Sequence, residues 1–373
     1  MRLARLRAVN FRNHRRTDVA LSFGANVFVG RSAQGKTSLL EAVGMAATGR
    51  SHRARQDAEV IAAGESWARV QVSGVQGGRP VEVDVLLRRD AASPAAGRLW
   101  KEIRVNGVPG RRSDLLGRMP CVLVSPDDIQ VVIGPPVLRR RLIDRVLVQV
   151  SPAYFDLSQR YVRAVVQRNR LLRTGAAPVA LEPWDEQVAT LGAAVTSRRR
   201  ELASRLARAA ARVYGDLTGE QAALQVSYRP DLAGSGEAEM VAAARRAMAA
   251  RRAAERARGQ TLVGPHRDEV SLEVGGRPLG SFGSRGQQWA AVVALRLAEH
   301  RILREETGED PVLLLDDVLQ VLDEPRRERL LAAVEGAQVL LTATTPQAAG
   351  GIGGAAVYVV EGGTVEAQPA HLP

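Results

Sequence analysis

The segment Gly30-Arg31-Ser32-Ala33-Gln34-Gly35-Lys36-Thr37 constrains this chain most, because it matches the pattern G-x-x-x-x-G-K-[ST] at every fixed position. An apolar strand pattern precedes it, and a helical pattern begins at Ser38. Its two glycines let the backbone curl until successive N–H groups face a phosphate, and the helix N-terminus adds positive potential. We therefore predict a P-loop that binds ATP through residues Gly30 to Ser38. Lys36 would reach the β- and γ-phosphates, and the Thr37 hydroxyl would ligate Mg²⁺.

A buried strand that ends in two acids forms a second motif. Four consecutive apolar residues, Val312 to Leu315, suit a central parallel strand that is covered on both faces. Ligands of α/β sheets bind at the carboxyl ends of such strands. We predict that Asp316 holds Mg²⁺ together with Thr37, and that Asp317 orients or deprotonates the attacking water. Asp317 and Lys36 are thus the predicted catalytic residues.

A Ser-x-Gly-Gln turn lies between these motifs, upstream of the acidic strand, and opens a predicted helix. Such a turn is typical of the signature loop of ABC-type ATPases, where a hydroxyl and an amide at a helix N-terminus bind a γ-phosphate. The order P-loop, long insertion, signature loop and acidic strand excludes simple P-loop kinases and GTPases. In ABC-type proteins the signature loop of one subunit completes the site of another. We therefore predict an ATP-dependent homodimer in which Ser284, Gly286 and Gln287 act in trans.

The composition and the periodicity of apolar residues divide the chain into three parts. Residues 1–136 alternate short strands with turns and contain one helix, Thr37 to Ala47, closed by Gly49. Residues 137–258 are rich in Ala, Leu and Arg at helical spacing, and Pro152, Pro183 and Pro230 cut them into segments. Strand patterns return in residues 259–373. We predict an α/β fold, an ABC-type, SMC-like P-loop ATPase head interrupted by a helical second lobe.

The chain carries a net charge of +12, which suggests an anionic partner, and on charge alone this could be nucleic acid or an acidic membrane. The DNA-binding candidates are two basic sets, the run Arg139, Arg140, Arg141 and one helical face with Arg245, Arg252 and Arg256. The alternative is a solvated, salt-bridged surface. No pattern that reads bases is present, so binding should be independent of sequence.

The cysteine content and the hydropathy of the chain bear on its location. Its one cysteine, Cys121, lies in an apolar run and is predicted to be an inert core thiol. No stretch reaches the length of apolar residues that a membrane span needs. We therefore expect no membrane partner and a cytoplasmic location.

Further motifs show that the chain resembles the RecF family of bacterial SMC-like ABC ATPases, and the resemblance covers nearly the whole chain. They are Phe11-Arg12-Asn13-His14, Ser125-Pro126-Asp127-Asp128, Thr261-Leu262-Val263-Gly264-Pro265-His266-Arg267-Asp268 and Leu314-Leu315-Asp316-Asp317-Val318. The resemblance implies ATP-dependent dimerisation on DNA, weak ATP hydrolysis and a D-loop at Asp323. It also implies a role in recombinational repair at gaps, helping to load RecA recombinase together with RecR and RecO. His266 to Asp268 would be either a functional contact or, as we slightly favour, a structural cluster.

Several positions depart from the family pattern. Arg31-Ser32-Ala33 replace the usual Glu-Asn-Gly, Trp289 stands where an arginine is common, and Gln320-Val321 replace Ser-Glu. No predicted phosphate or Mg²⁺ ligand is lost, so the departures bear on the hydrolysis rate more than on ATP binding. The alternative function is therefore an ATP-gated, SMC-like structural DNA clamp with little turnover. An ABC transporter ATPase and an SMC-like nuclease fit less well. Arg53 is a positional guess for a contact to adenine.

Overall fold

The computed structural model describes residues 1–89, 99–220, 222–345, 352 and 354–368. Its strands are β1 (Arg2–Phe11), β2 (His14–Ala20), β3 (Ala25–Val29), β4 (Trp67–Gln76), β5 (Arg79–Arg89), β6 (Leu99–Val105), β7 (Val108–Gly110), β8 (Cys121–Val124), β9 (Leu224–Arg229), β10 (Glu269–Val274), β11 (Arg277–Pro278), β12 (Val312–Leu315), β13 (Val339–Ala343), β14 (Ala356–Glu361) and β15 (Thr364–Ala367). Its α-helices are α1 (Lys36–Thr48), α2 (Arg112–Leu115), α3 (Gln130–Ile133), α4 (Pro136–Val150), α5 (Pro152–Arg173), α6 (Pro178–Thr218), α7 (Glu237–Arg258), α8 (Leu279–Phe282), α9 (Arg285–Thr307) and α10 (Glu324–Ala333). Short 3-10 turns lie at Asp57–Val60, Pro126–Ile129, Pro265–Arg267 and Val318–Val321.

The first compact unit comprises residues 1–128, 216–219 and 292–373. It contains an antiparallel sheet of order β2-β1-β4-β5-β6-β7 and a second sheet of order β15-β14-β3-β13-β12-β8. Helix α1 packs against strands of both sheets, and most of its residues are buried, because it is apolar on nearly every side. It ends, as predicted, where Gly49 adopts a left-handed conformation at φ 71°.

The second sheet places the two predicted phosphate-binding motifs at one edge. All its pairings are parallel except that between β14 and β15. Strand β3 lies between β13 and β14, and β12 lies between β13 and β8. Because parallel strands share an orientation, the loop after β3 and the acids after β12 emerge at the same edge. The prediction that Val312–Leu315 is a fully buried central strand is confirmed.

The second compact unit comprises residues 129–215 and 220–291. Its helices accompany a small antiparallel sheet of order β11-β10-β9. The predicted break at Pro183 is wrong, because this proline lies inside the 41-residue helix α6. In the second turn of the helix its ring removes one backbone hydrogen bond close to the helix start, which packing can offset. Strand β9 was not predicted within this region.

The compact units and the sequence motifs divide the chain at different residues. Residues 259–291, which the sequence assigns to the ATPase head, group with the helices of the second unit. The division falls within α9, which starts in the second unit and ends in the first. Within the described ranges, no helix is long and apolar enough to cross a membrane.

A buried arginine connects three segments of the second unit. Arg168 of α5 has no exposed side-chain surface and donates to Asp185 (2.7 Å), Glu255 (2.5 Å) and the Thr261 hydroxyl (2.9 Å). Glu255 is also fully buried and accepts the backbone N–H of Leu262 at 2.8 Å. These contacts join α5, α6 and α7 to the start of the Thr261–Asp268 segment.

The rest of that segment is equally well bonded. Asp268 is fully buried and accepts from Arg199 (3.1 Å), from the Asp231 backbone N–H (2.9 Å) and from the Tyr228 hydroxyl. The His266 ring contacts the Tyr161 hydroxyl at 2.6 Å through Nδ1. These bonds confirm the structural interpretation of His266 and Asp268.

Cys121 lies in the parallel sheet of the first unit. It is buried at the start of β8, and burial raises the pKa of its thiol to about 12. The thiol therefore stays protonated at neutral pH, which confirms the prediction of an inert core cysteine.

Candidate nucleotide site

The P-loop curls around the end of its own lysine. Gly30 has φ 158°, and a Cβ at this position would lie 2.3 Å from the carbonyl oxygen of Val360, so the close approach of β14 requires glycine. Lys36 is buried, and its Nζ donates to the carbonyl oxygens of Gly30 (2.7 Å) and Arg31 (2.9 Å). The ammonium group thus lies inside the loop, where it can exchange carbonyl oxygens for phosphate oxygens.

Residues from both ends of the chain hold the loop. The Asn13 side chain donates to the Gln34 carbonyl (2.8 Å), and His14 Nε2 contacts the Gly35 carbonyl (3.0 Å). From the β14–β15 turn, the N–H of Gly363 donates to the Gln34 carbonyl at 3.1 Å. Burial lowers the pKa of His14, which favours a neutral ring. In the sequence, Asn13 and His14 were recognised only as part of a motif shared with the family, and their contact with the P-loop was not predicted.

The acid after β12 meets the threonine of the P-loop. Asp316 Oδ1 accepts hydrogen bonds from the hydroxyls of Thr37 and Thr342, both at 2.8 Å. Burial raises the pKa of Asp316, and these two hydrogen bonds oppose the increase. Thr342 was missed as a site residue. Its position near the carboxyl end of β13, a parallel neighbour of β12, is the signal that points to it.

The second acid is held in an unusual backbone conformation. Asp317 has φ 50°, in the left-handed region, and its N–H donates to the Thr342 hydroxyl at 2.8 Å. Its carboxylate accepts from the Gln320 amide at 3.2 Å. A left-handed conformation costs a non-glycine residue about 1–2 kcal/mol, so the surrounding contacts must maintain it. Gln320, one of the departures from the family pattern, thereby positions Asp317.

The predicted signature residues lie in the second unit at the start of α9. The Gln287 N–H donates to Ser284 Oγ (3.2 Å), and the Ser284 N–H donates to Gln287 Oε1 (3.1 Å), which forms a capping box. Ser284 is exposed, and Gly286 and Gln287 are partly exposed. An exposed hydroxyl at a helix N-terminus can bind an anion.

The predicted D-loop acid also caps a helix. Asp323 lies in the first unit before α10 and accepts the Arg326 backbone N–H at 3.1 Å. Its side chain is 52% exposed, so it remains accessible from solvent.

Arg53, the guess for adenine, lies near a buried acid of α1. Its guanidinium is 3.6 Å from Glu41, which is fully buried and also paired with Arg12 at 2.7 Å. Burial alone would raise the pKa of Glu41, but hydrogen bonds from Arg12 and Ser51 and the two arginine charges lower it overall. Glu41 therefore remains ionised and binds both arginines.

The DNA-binding candidates divide into partly buried and exposed side chains. Arg139 donates to Gly134 O (2.9 Å) and Glu269 (3.1 Å), Arg140 donates to the Asp268 carbonyl, and Arg252 pairs with Asp185. The exposed ones are Arg141, Arg245, which pairs with Glu186, and Arg256, which donates to Ala176 O. The three partly buried arginines therefore bond mainly within the second unit, and the three exposed ones remain candidates for DNA contact.

Ala33 provides a test of the P-loop backbone. Its φ is 65°, in the left-handed region, where the backbone of a residue with a Cβ is strained and that of glycine is not. We expect Ala33→Gly to raise the free energy of unfolding by about 0.5–1 kcal/mol in urea titrations. Ala249→Gly, on an exposed position of α7, should lower it by about 1 kcal/mol, since glycine disfavours a helix interior. Destabilisation by both substitutions would contradict the proposed strain.

The fold and this site define an SMC-like ABC ATPase head with a helical second lobe, and comparisons with known proteins agree. A family model described as an AAA domain matches residues 5–102. The Smc head bound to the C-winged helix domain of ScpA shares the fold, with a TM-score of 0.58 and 13% identity over 99% of this chain and 97% of that one. The predicted fold class is confirmed.

A nearer relationship identifies the family. The DNA replication and repair protein RecF of Heliobacterium modesticaldum is 37% identical over 354 residues, which cover 92% of each chain. A solved structure of the recombination mediator RecF with ATP in the RecFOR pathway has a TM-score of 0.90 and 26% identity over 99% of this chain and 98% of that one. The chain belongs to the RecF family.

Proposed function

We propose that this chain is an ATPase of DNA replication and repair that binds both ATP and DNA. In the presence of ATP it dimerises on DNA, and it hydrolyses the ATP slowly. The observation that carries the proposal is the meeting of Thr37 and Asp316 at 2.8 Å beside a loop curled around Lys36. This arrangement suits a nucleoside triphosphate. The RecF relatives are named as DNA replication and repair proteins.

The donor set at the P-loop fits Mg²⁺. The Thr37 hydroxyl and the Asp316 carboxylate are hard oxygen ligands, and each can take a metal ion in place of the hydrogen bond between them. Bound there, Mg²⁺ would neutralise charge on the phosphates. Thr342 holds the Asp316 carboxylate in place through its 2.8 Å hydrogen bond.

Asp317 is the proposed base that orients the attacking water. Thr342 and Gln320 fix its backbone and its carboxylate, so it can accept a proton without a large rearrangement. Lys36 would stabilise charge on the transferred phosphoryl group.

The proposed site is completed in trans by a second copy of this chain. Ser284 is exposed and its hydroxyl caps α9, so a γ-phosphate can take the place of this local contact. Exposed Asp323 would act at the same dimer interface. Arg141, Arg245 and Arg256 are proposed to contact DNA phosphates. By family, RecR and RecO are the proposed partners in loading RecA recombinase at gaps.

Sedimentation of the protein with a labelled gapped duplex tests this function. We expect ATP, but neither ADP nor the absence of nucleotide, to produce a DNA-bound dimer that weakens steeply with salt. Lys36→Met removes the phosphate contact, and Ser284→Arg blocks the trans contact, so both should abolish the dimer. Ser281→Arg, also exposed and close to the loop, is the matched control and should dimerise normally.

Different failures identify different errors. ATP binding without dimerisation would contradict the composite site and would point to another protein as the second head. A dimer without DNA binding would contradict the DNA assignment alone.

A further inference from the structure

A groove between α5 and α6 in the second unit carries features that the proposed ATPase mechanism does not use. Its volume is about 350 Å³, and both helices line it. The lining residues are Arg160, Arg163, Ala164, Gln167, Trp184, Gln187 and Leu191. These seven described residues include two arginines and no acid, so the lining they form is positively charged.

The arginines of this face differ from those of the other basic helix. Arg160, Arg163 and Arg170 lie at i, i+3 and i+10 of α5, on one face, and all are exposed. Among the described residues, none of their guanidinium groups forms a hydrogen bond or an ion pair. By contrast, Arg245 and Arg252 of α7 are paired with acids.

The sequence of α5 explains why its face is unpaired. The only acid in this 22-residue helix is Asp156, which precedes all its arginines. Two exposed valines, Val162 (53%) and Val166 (54%), lie beside the arginines. A solvated surface helix usually interleaves opposite charges, so this face is better suited to an anionic partner.

An aromatic side chain gives the groove a second property. The indole of Trp184 is partly exposed and lines the groove together with Arg160 and Arg163. Proteins that bind single strands combine a basic groove with an aromatic ring on which a base stacks. Bases in a duplex are already stacked on their neighbours, so such a ring is useful chiefly to an unpaired base.

We propose that the α5–α6 groove binds single-stranded DNA, with an unpaired base stacked on Trp184 and adjacent phosphates held by Arg160 and Arg163. The inference rests on the proposed DNA-binding function and adds the groove and the side chains that hold the strand. Binding is independent of sequence, because every base presents a π-face.

Fluorescence anisotropy with a labelled oligo-dT strand and a duplex of equal length tests the groove. We expect Trp184→Leu to weaken single-strand binding about tenfold and to leave duplex binding unchanged. Trp184→Phe keeps a ring and should retain most of the affinity. Trp100→Leu is the matched control, since Trp100 is 49% exposed in the first unit and should not matter.

Salt titration tests the arginines separately. In Arg160→Gln/Arg163→Gln, the slope of log affinity against log salt for the single strand should fall by about 1.4, or roughly 0.7 for each lost phosphate contact. Arg229→Gln, which removes a 69% exposed arginine elsewhere in the same unit, should leave the slope unchanged.

Intrinsic fluorescence keeps the test valid if Trp184→Leu fails to fold. Oligo-dT should quench the wild type and Trp100→Phe, while Trp184→Phe should bind the strand with little quenching. Equal losses on single strand and duplex, or no loss on either, would overturn the groove while leaving the proposed function intact. A wild type that binds no DNA would refute both proposals together.

Discussion

We expect Asp317→Asn to lower the ATP hydrolysis rate by about 100-fold or more, while ATP binding and ATP-dependent dimerisation persist. Asn retains the size and the hydrogen-bonding capacity of the side chain, so the contact with Gln320 can be kept. It cannot accept the proton of the attacking water. Steady-state phosphate release, together with sedimentation in ATP, measures the two effects separately.

The matched control is Asp310→Asn, which neutralises an acid just before β12. Asp310 lies 3.5 Å from Arg304 and is proposed to take no part in catalysis, so its loss should leave hydrolysis near the wild-type rate. Unchanged hydrolysis in Asp317→Asn would refute the proposed base. If the wild type forms ATP-dependent dimers on DNA but hydrolyses nothing, the SMC-like clamp becomes the better description.

The second large effect should come from Arg168→Met. Removal of this guanidinium leaves Glu255 fully buried without the charge that neutralises it, while Asp185 keeps its ion pair with Arg252. Breaking a buried ion pair from one side costs about 3–5 kcal/mol, because the remaining charge is desolvated and unpaired. Chemical denaturation followed by circular dichroism should show this loss in the free energy of unfolding.

Two further variants give this result its meaning. Arg170→Met, two residues along the same helix and exposed, should change stability by less than about 0.5 kcal/mol. Adding Glu255→Gln to Arg168→Met removes the uncompensated charge of Glu255 and should restore part of the lost stability. If Arg168→Met were as stable as Arg170→Met, the three contacts of Arg168 would contribute no net stability.

The parts of the site that the sequence predicts well are those with a local signature. The P-loop and β12 can be recognised in the sequence. Phosphate binding requires glycines, lysine and threonine at fixed spacing, and a strand buried on both faces requires consecutive apolar residues. The turn at Asn106-Gly107 also has a local signature, because Asn-Gly favours the positive φ that both residues adopt between β6 and β7.

Features that depend on distant partners were harder to predict. Thr342 acts only because β13 pairs beside β12, and Arg139 and Arg252 look like free basic residues until their acids are located in space. In β9, apolar and polar residues alternate, as expected for a strand that pairs with β10. The strand is short and lies among residues with helical spacing, so the sequence did not predict it. Pro183 shows that packing can override a helix-breaking residue.

The position of β3 has a consequence for protein synthesis. Its two neighbours in the sheet, β13 and β14, are made more than three hundred residues later, and Gly363 is made later still. The phosphate-binding loop therefore emerges from the ribosome long before the strands that support it have been synthesised. The nascent chain should acquire affinity for nucleotide only after β13, β14 and Gly363 have been made, so products that terminate before them would not compete with the finished protein for ATP.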